Sequence, residues 1–195
     1  MTSTGRPRDP DVDARIVAST RELLDEQGAK AVTLAAVSRM AGVSRPTLYR
    51  RYPDADALLM AVLAADVRTL VATTDLSPTA SPADHVMAQL EPFMAYYAAH
   101  PERSRALLRA ATFADAGPAS EINQLNADRI ASLGAAIAAS TELPDGTDPR
   151  QLGFMVYAVH LMTIIAGLHG LFPDPDQQRA ALRSCVIWIL RSETA

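Results

Sequence analysis

Residues 32–59 read VTLAAVSRMAGVSRPTLYRRYPDADALL, and the fold turns on how this stretch is parsed. Thr33 stands before a short apolar-periodic run, Leu34 to Ala41, as an N-cap whose hydroxyl can accept from a free backbone N–H. Gly42 and Val43 make a turn. Ser44 caps a second short helix, which must end before Pro53 because a proline disfavours helical backbone in the residue ahead of it. Two short helices joined by a glycine-containing turn form a helix-turn-helix, whose second helix fits the major groove of DNA.

Working outward, Asp11 to Gln27 places Val12, Ile16, Leu23 and Leu24 on one helical stripe, with Gly28 as the closing residue. Residues 1–10, with Gly5, Pro7 and Pro10, read as a polar, flexible arm. Downstream, Asp54 caps a long helix from Ala55 to Thr73, and LSPTASP (Leu76 to Pro82) is the clearest break. Later helices open with a proline at the first helical position: Ser81-Pro82, His100-Pro101, Gly117-Pro118, Asp148-Pro149 and Asp174-Pro175. β-Branched alternation is almost absent and 36 of 195 residues are alanine, so an all-α fold of about nine helices is expected. The expected division is residues 1–60, a three-helix DNA-binding unit with its arm, and residues 61–195, a larger helical unit. The helix from Ala55 would link the two.

Composition narrows the function classes. At 49% hydrophobic and 21% charged, the chain is globular and long enough to bury a core unaided. Its single cysteine, Cys185, excludes a disulfide within one chain and stands among apolar residues in the sequence, where a packed thiol is expected. The N-terminus lacks an apolar signal segment, so a soluble, cytoplasmic protein is expected. Phe154 to Phe172 is nearly long enough to span a membrane, but His160, Gly167, His169 and Gly170 interrupt it, and it reads as a core helix. No HExxH, GxSxG or phosphate-loop pattern occurs. His160 and His169, nine apart, point about 180° from each other on one helix and cannot share a metal. Neither an enzyme nor a cofactor or metal centre is expected.

Net charge is −4, yet it is unevenly spread. Residues 1–60 carry nine Lys/Arg against eight Asp/Glu, whereas residues 61–195 carry nine against fourteen. Between Gln27 and Pro53 lie Lys30, Arg39, Arg45, Arg50 and Arg51 with no acidic residue. That window is the electrostatic footprint of an anionic partner. Arg45 can donate two hydrogen bonds to guanine, and Thr47 can reach a base edge or a thymine methyl. Pro46 adds a rigid apolar contact at the helix start. Tyr49, Arg50 and Arg51 offer donors for phosphate oxygens, which fix register without reading sequence. Leu48 and Tyr52, four apart, would face inward against Ile16, Leu24, Val37 and Met40.

AVTLAAVSRMAGVSRPTLYRRYPDADALL resembles the DNA-binding signature of the TetR/AcrR family of bacterial transcriptional regulators: the AGVS turn, the TLY triplet, the aromatic-Pro-Asp step and the following Leu-Leu coincide with its pattern. The resemblance covers about the first 60 residues. It implies that Thr33 and Ser44 touch phosphates at helix starts, that Arg45, Pro46, Thr47 and Tyr49 approach bases or the groove wall, and that Arg50 and Arg51 hold the backbone. One position departs: where the family carries a lysine at the start of the fourth helix, this chain has Ala55 between Asp54 and Asp56, which weakens one phosphate contact. Arg6 and Arg8 of the arm would compensate by entering the minor groove.

For the larger half the resemblance implies a small-molecule site and a homodimer built through the last two helices. Leu152, Val156, Val159 and Thr163 share one face of the first of these; Leu182, Val186, Ile189 and Leu190, with Trp188 beside them, lie on the second. The implied function is a homodimeric repressor on a palindromic operator in double-stranded DNA, released by an apolar or amphipathic effector. Phe93, Tyr97, Phe113, Met155 and His160 are the candidate effector contacts. The alternative is a helical ligand-binding or scaffolding protein whose helix-turn-helix no longer binds DNA, which Asp54, Ala55 and Asp56 favour.

Overall fold

The structure, a computed structural model, describes residues 10–74, 77, 81–113, 121–140, 143, 145–172 and 174–192. Among them are nine α-helices and no strand: α1 Pro10–Gln27, α2 Leu34–Met40, α3 Arg45–Arg51, α4 Ala55–Thr73, α5 Pro82–Ala99, α6 Pro101–Phe113, α7 Glu121–Ser140, α8 Pro149–Leu168 and α9 Pro175–Ser192. A single 3-10 turn, Ala29–Ala31, lies between α1 and α2. Local chemistry sets these ends. Ser81 accepts from the Asp84 N–H at 3.1 Å to open α5, and Asp148 accepts from the Arg150 N–H at 2.9 Å to open α8. Asp54 accepts from the Ala57 N–H at 2.7 Å at the head of α4. Gly28 ends α1 at φ +77°, a backbone state that side chains resist. The Gly117-Pro118 start and most of the Leu76–Pro82 break fall outside the described residues, as do Arg6 and Arg8.

The chain forms two compact units. The first contains residues up to Ala65 together with Glu102–Thr112. Its core is Ile16, Leu23 and Leu24 of α1, Leu34 and Val37 of α2, Leu48 of α3, and Leu58, Val62 and Leu63 of α4, all buried. Arg103 of α6 is fastened to Asp25 of α1 by two hydrogen bonds of 2.8 and 2.5 Å. That two-pronged geometry is the strongest a guanidinium and a carboxylate can make.

The second unit contains Asp66–Pro101 and Phe113–Ala195. Val86, Met87 and Leu90 of α5 pack with Leu133 and Ile137 of α7, Leu152 and Val156 of α8, and Leu182, Val186 and Ile189 of α9. Helices α7 and α8 meet backbone to backbone: a Cβ on Gly153 would lie 2.2 Å from the Ile130 carbonyl oxygen, and one on Gly134 would lie 2.4 Å from that of Pro149. Gln178 of α9 donates to the Thr163 carbonyl of α8 at 2.9 Å. By length and composition α8 is apolar enough to cross a membrane. Here Leu152, Gly153, Val156, His160 and Ile164 are buried in the helical packing.

Candidate nucleic-acid interface and effector core

The recognition element is built from its caps. Thr33 accepts from the Ala36 N–H at 3.1 Å, and Ser44 from the Thr47 N–H at 3.3 Å. Between the helices, Gly42 at φ +62° makes the turn, and Ser38 closes it by donating to the Val43 carbonyl at 2.6 Å while the Val43 N–H donates to Ser38. Leu48, fully buried, fixes the rotation of α3 about its axis. Arg45, Pro46, Tyr49 and Arg50 are thereby exposed, Tyr49 at 55%. Lys30 and Arg39 are exposed as well. The result is an acid-free face of two arginines, a phenol and a proline ring on a seven-residue helix.

The other expected contacts are already engaged within the unit. Thr47 is half-buried, its hydroxyl 2.8 Å from that of Ser44. Arg51 donates from Nε to Asp13 of α1 at 2.6 Å, and its side chain is only 9% exposed. In this structure it ties α3 to α1. Leu48 is buried and Tyr52 half-buried, but Met40, expected in the core, is 40% exposed at the last turn of α2. Asp54, beside Ala55, is held by its capping bond, and Asp56 is exposed.

In the second unit the candidate effector residues separate into groups. Phe93 and Tyr97 of α5 and His160 of α8 are buried, with the Phe93 and His160 rings edge to face at 6.4 Å between centroids. Met155 does not join them. It lies five positions before His160, roughly 140° round the helix, and is 39% exposed beside an apolar groove of about 580 Å³ with Phe154, Val159, Cys185 and Trp188. The side chain of Phe113 lies outside the described residues. A further residue joins the buried group: Arg129 of α7, 8% exposed, stands over the Phe93 ring at 3.5 Å. Its signal was present in the sequence, since Ile122, Arg129, Leu133 and Ala136 share a helical stripe and all are buried. Burial pushes the Tyr97 hydroxyl up to about 12, and burial together with repulsion from Arg129 holds His160 well below its usual value, so both are neutral at pH 7.

Residues 16–62 match the family model for bacterial regulatory proteins of the tetR family. An uncharacterised HTH-type transcriptional regulator of Mycobacterium bovis is 36% identical over 61 residues, 31% of this chain and 32% of that protein. Residues 16–62 are thus similar to the DNA-binding part of tetR-family regulators. The HTH-type transcriptional repressor KstR of Rhodococcus jostii is 31% identical over 111 residues, 57% of this chain and 52% of KstR. The chain thus aligns with a third to a half of the length of these curated relatives. A solved TetR transcriptional regulator from a Rhodococcus species has the same fold at 20% identity, with a TM-score of 0.73 over 94% of this chain and 97% of that one. The sequence match therefore centres on the helix-turn-helix, while the likeness in fold covers 94% of the chain.

Proposed function

We propose that the chain is a homodimeric transcriptional repressor that reads a palindromic operator in double-stranded DNA and is released by a small-molecule effector. The observation that carries this reading is the acid-free face of α3, where Arg45, Pro46, Tyr49 and Arg50 project from a helix anchored by buried Leu48. Arg45 reads a base, Arg50 holds a phosphate, and the free N–H groups behind Thr33 and Ser44 favour phosphate oxygens. Similarity to a repressor such as KstR supports the sign of regulation. The protein acts in the cytoplasm, where its operator is.

Dimerisation is assigned to α8 and α9. Phe154, Met162 and Trp188 are 58, 61 and 67% exposed, and Phe154 and Trp188 line one apolar groove. A second copy burying that face would make a four-helix bundle. Helix α4 is shared by the units, its residues up to Ala65 in the first and the rest in the second. Effector binding that moves α4 would change operator affinity by roughly 5–150-fold, the usual range of such coupling.

The test is Arg45→Ala, assayed by fluorescence anisotropy against an operator and its single-base variants. A base reader loses about 1–3 kcal/mol of discrimination at one operator position. Equal weakening against every variant would reduce Arg45 to a phosphate contact.

A further inference from the structure

The core of the second unit holds a cation that no carboxylate among the described residues neutralises. Arg129 is buried on α7, its guanidinium carbon 3.5 Å from the centroid of the Phe93 ring and 5.4 Å from that of Tyr157. Its Nη2 has no hydrogen-bond partner. The titratable groups it feels are the phenols of Tyr97 and Tyr157, both held protonated by burial. His160, 1% exposed on α8, uses one ring nitrogen on the Leu90 backbone and leaves Nε2 without a partner. Because the ring is neutral, with its proton on the bonded nitrogen, Nε2 presents a lone pair.

A buried, unpaired charge is expensive, and aromatic faces offset only part of that penalty. Two orphan polar atoms around one phenylalanine ring, a cationic donor and a neutral acceptor, are the complement of a carboxyl group. One oxygen would accept from Arg129 Nη2, and a proton taken up from solvent with the ligand would bridge the other oxygen and His160 Nε2. Phe93 and Tyr157 supply apolar surface for the carbon skeleton next to it. We propose that Arg129, with His160, anchors the carboxyl group of the effector, so that the second unit selects amphipathic monocarboxylic acids over their neutral analogues. This rests on the reading of the second unit as the effector-binding half.

The test is thermal unfolding of the full-length protein with octanoate, decanoate and 4-phenylbutyrate, each set against its primary alcohol. Arg129→Met and Arg129→Lys are measured alongside wild type. The carboxylates should raise the wild-type Tm, by roughly 5–10 °C at about a hundredfold excess over Kd, and the alcohols should leave it nearly unchanged. Arg129→Met should start at or above the wild-type Tm, freed of its buried charge, and lose the carboxylate shift. Should that variant not fold, Arg129→Lys keeps the charge without the planar fork and should show the same preference with a smaller shift. Equal shifts from acids and alcohols, or a carboxylate shift that survives Arg129→Met, would overturn the proposal and leave the effector-binding reading standing. No shift in either series would overturn both.

Discussion

Adding one methyl group to Gly153 should separate α7 from α8. Its Cβ would lie 2.2 Å from the Ile130 carbonyl oxygen, 2.7 Å from the Gly134 nitrogen and 3.1 Å from the Gly134 Cα. A carbon and a carbonyl oxygen rest about 3.3 Å apart at closest, so the helices would have to part by roughly 1 Å. All three obstructing atoms are backbone, and no rotamer change relieves them. Overpacking of this kind costs about 1–3 kcal/mol, and the upper part of that range applies where nothing can yield. Alanine returns up to about 1 kcal/mol of helix propensity, which leaves a net loss of about 2 kcal/mol. At ~2–4 °C per kcal/mol for a chain of this length, Tm should fall by roughly 4–8 °C. Gly167→Ala on the same helix is the control. There the three atoms nearest the Cβ belong to the carboxamide of Gln178, the closest at 2.6 Å, and that side chain can swing away. Releasing it gives up the bond to the Thr163 carbonyl, about 1 kcal/mol, which cancels the propensity gain. Urea denaturation followed by far-UV circular dichroism, at one protein concentration, measures both variants. Equal midpoints for the two alanines, or a Gly153→Ala variant as stable as wild type, would refute the close-crossing argument.

Arg51→Ala should destabilise the first unit by about 1–3 kcal/mol through loss of its charged hydrogen bond to Asp13. Its salt dependence of DNA binding should stay that of wild type, whereas Arg50→Ala should flatten the log Kd against log salt slope by about one unit. Trp188→Glu should yield monomers in light scattering and a loss of operator affinity, because it buries a charge in the face assigned to dimerisation; a stable dimer would move that interface elsewhere. The pH dependence follows from His160. Its folded pKa lies well below the unfolded value of about 6.5, so only the unfolded chain takes up that proton as pH falls. Stability from this site is fully present above pH ~6.5 and declines below it, by up to about 1.4 kcal/mol per pH unit, until the folded pKa is reached. His160→Phe should remove that slope in urea titrations between pH 5 and pH 7, a window set by the direction of the shift.

Much of the fold was legible because helix ends are local events. Thr33, Ser44, Asp54, Ser81 and Asp148 cap within three residues of themselves, and the sequence carries both partners of each bond. The exposed face of α3 was legible too, since burying Leu48 fixes the direction of its neighbours. Long-range partners were not. The Arg51–Asp13 pair joins residues 38 apart, and nothing in a basic window distinguishes an arginine bound to protein from one free for phosphate. Phe93 and His160 meet and Met155 does not join them, because clustering along a helix ignores the angle between positions. Arg129 stayed hidden because a charged residue on an apolar stripe is read as facing solvent, although its spacing with Ile122 and Leu133 points inward.

The most direct measurement is selection of bound duplexes from random-sequence DNA by the purified full-length protein, at about 0.15 M salt. A dimer that reads DNA through α3 should enrich a palindrome whose half-sites are centred about 34–36 Å apart or a multiple of that distance, and Arg45→Ala should blur one position in each half. A folded, dimeric protein that enriches no sequence would contradict the account.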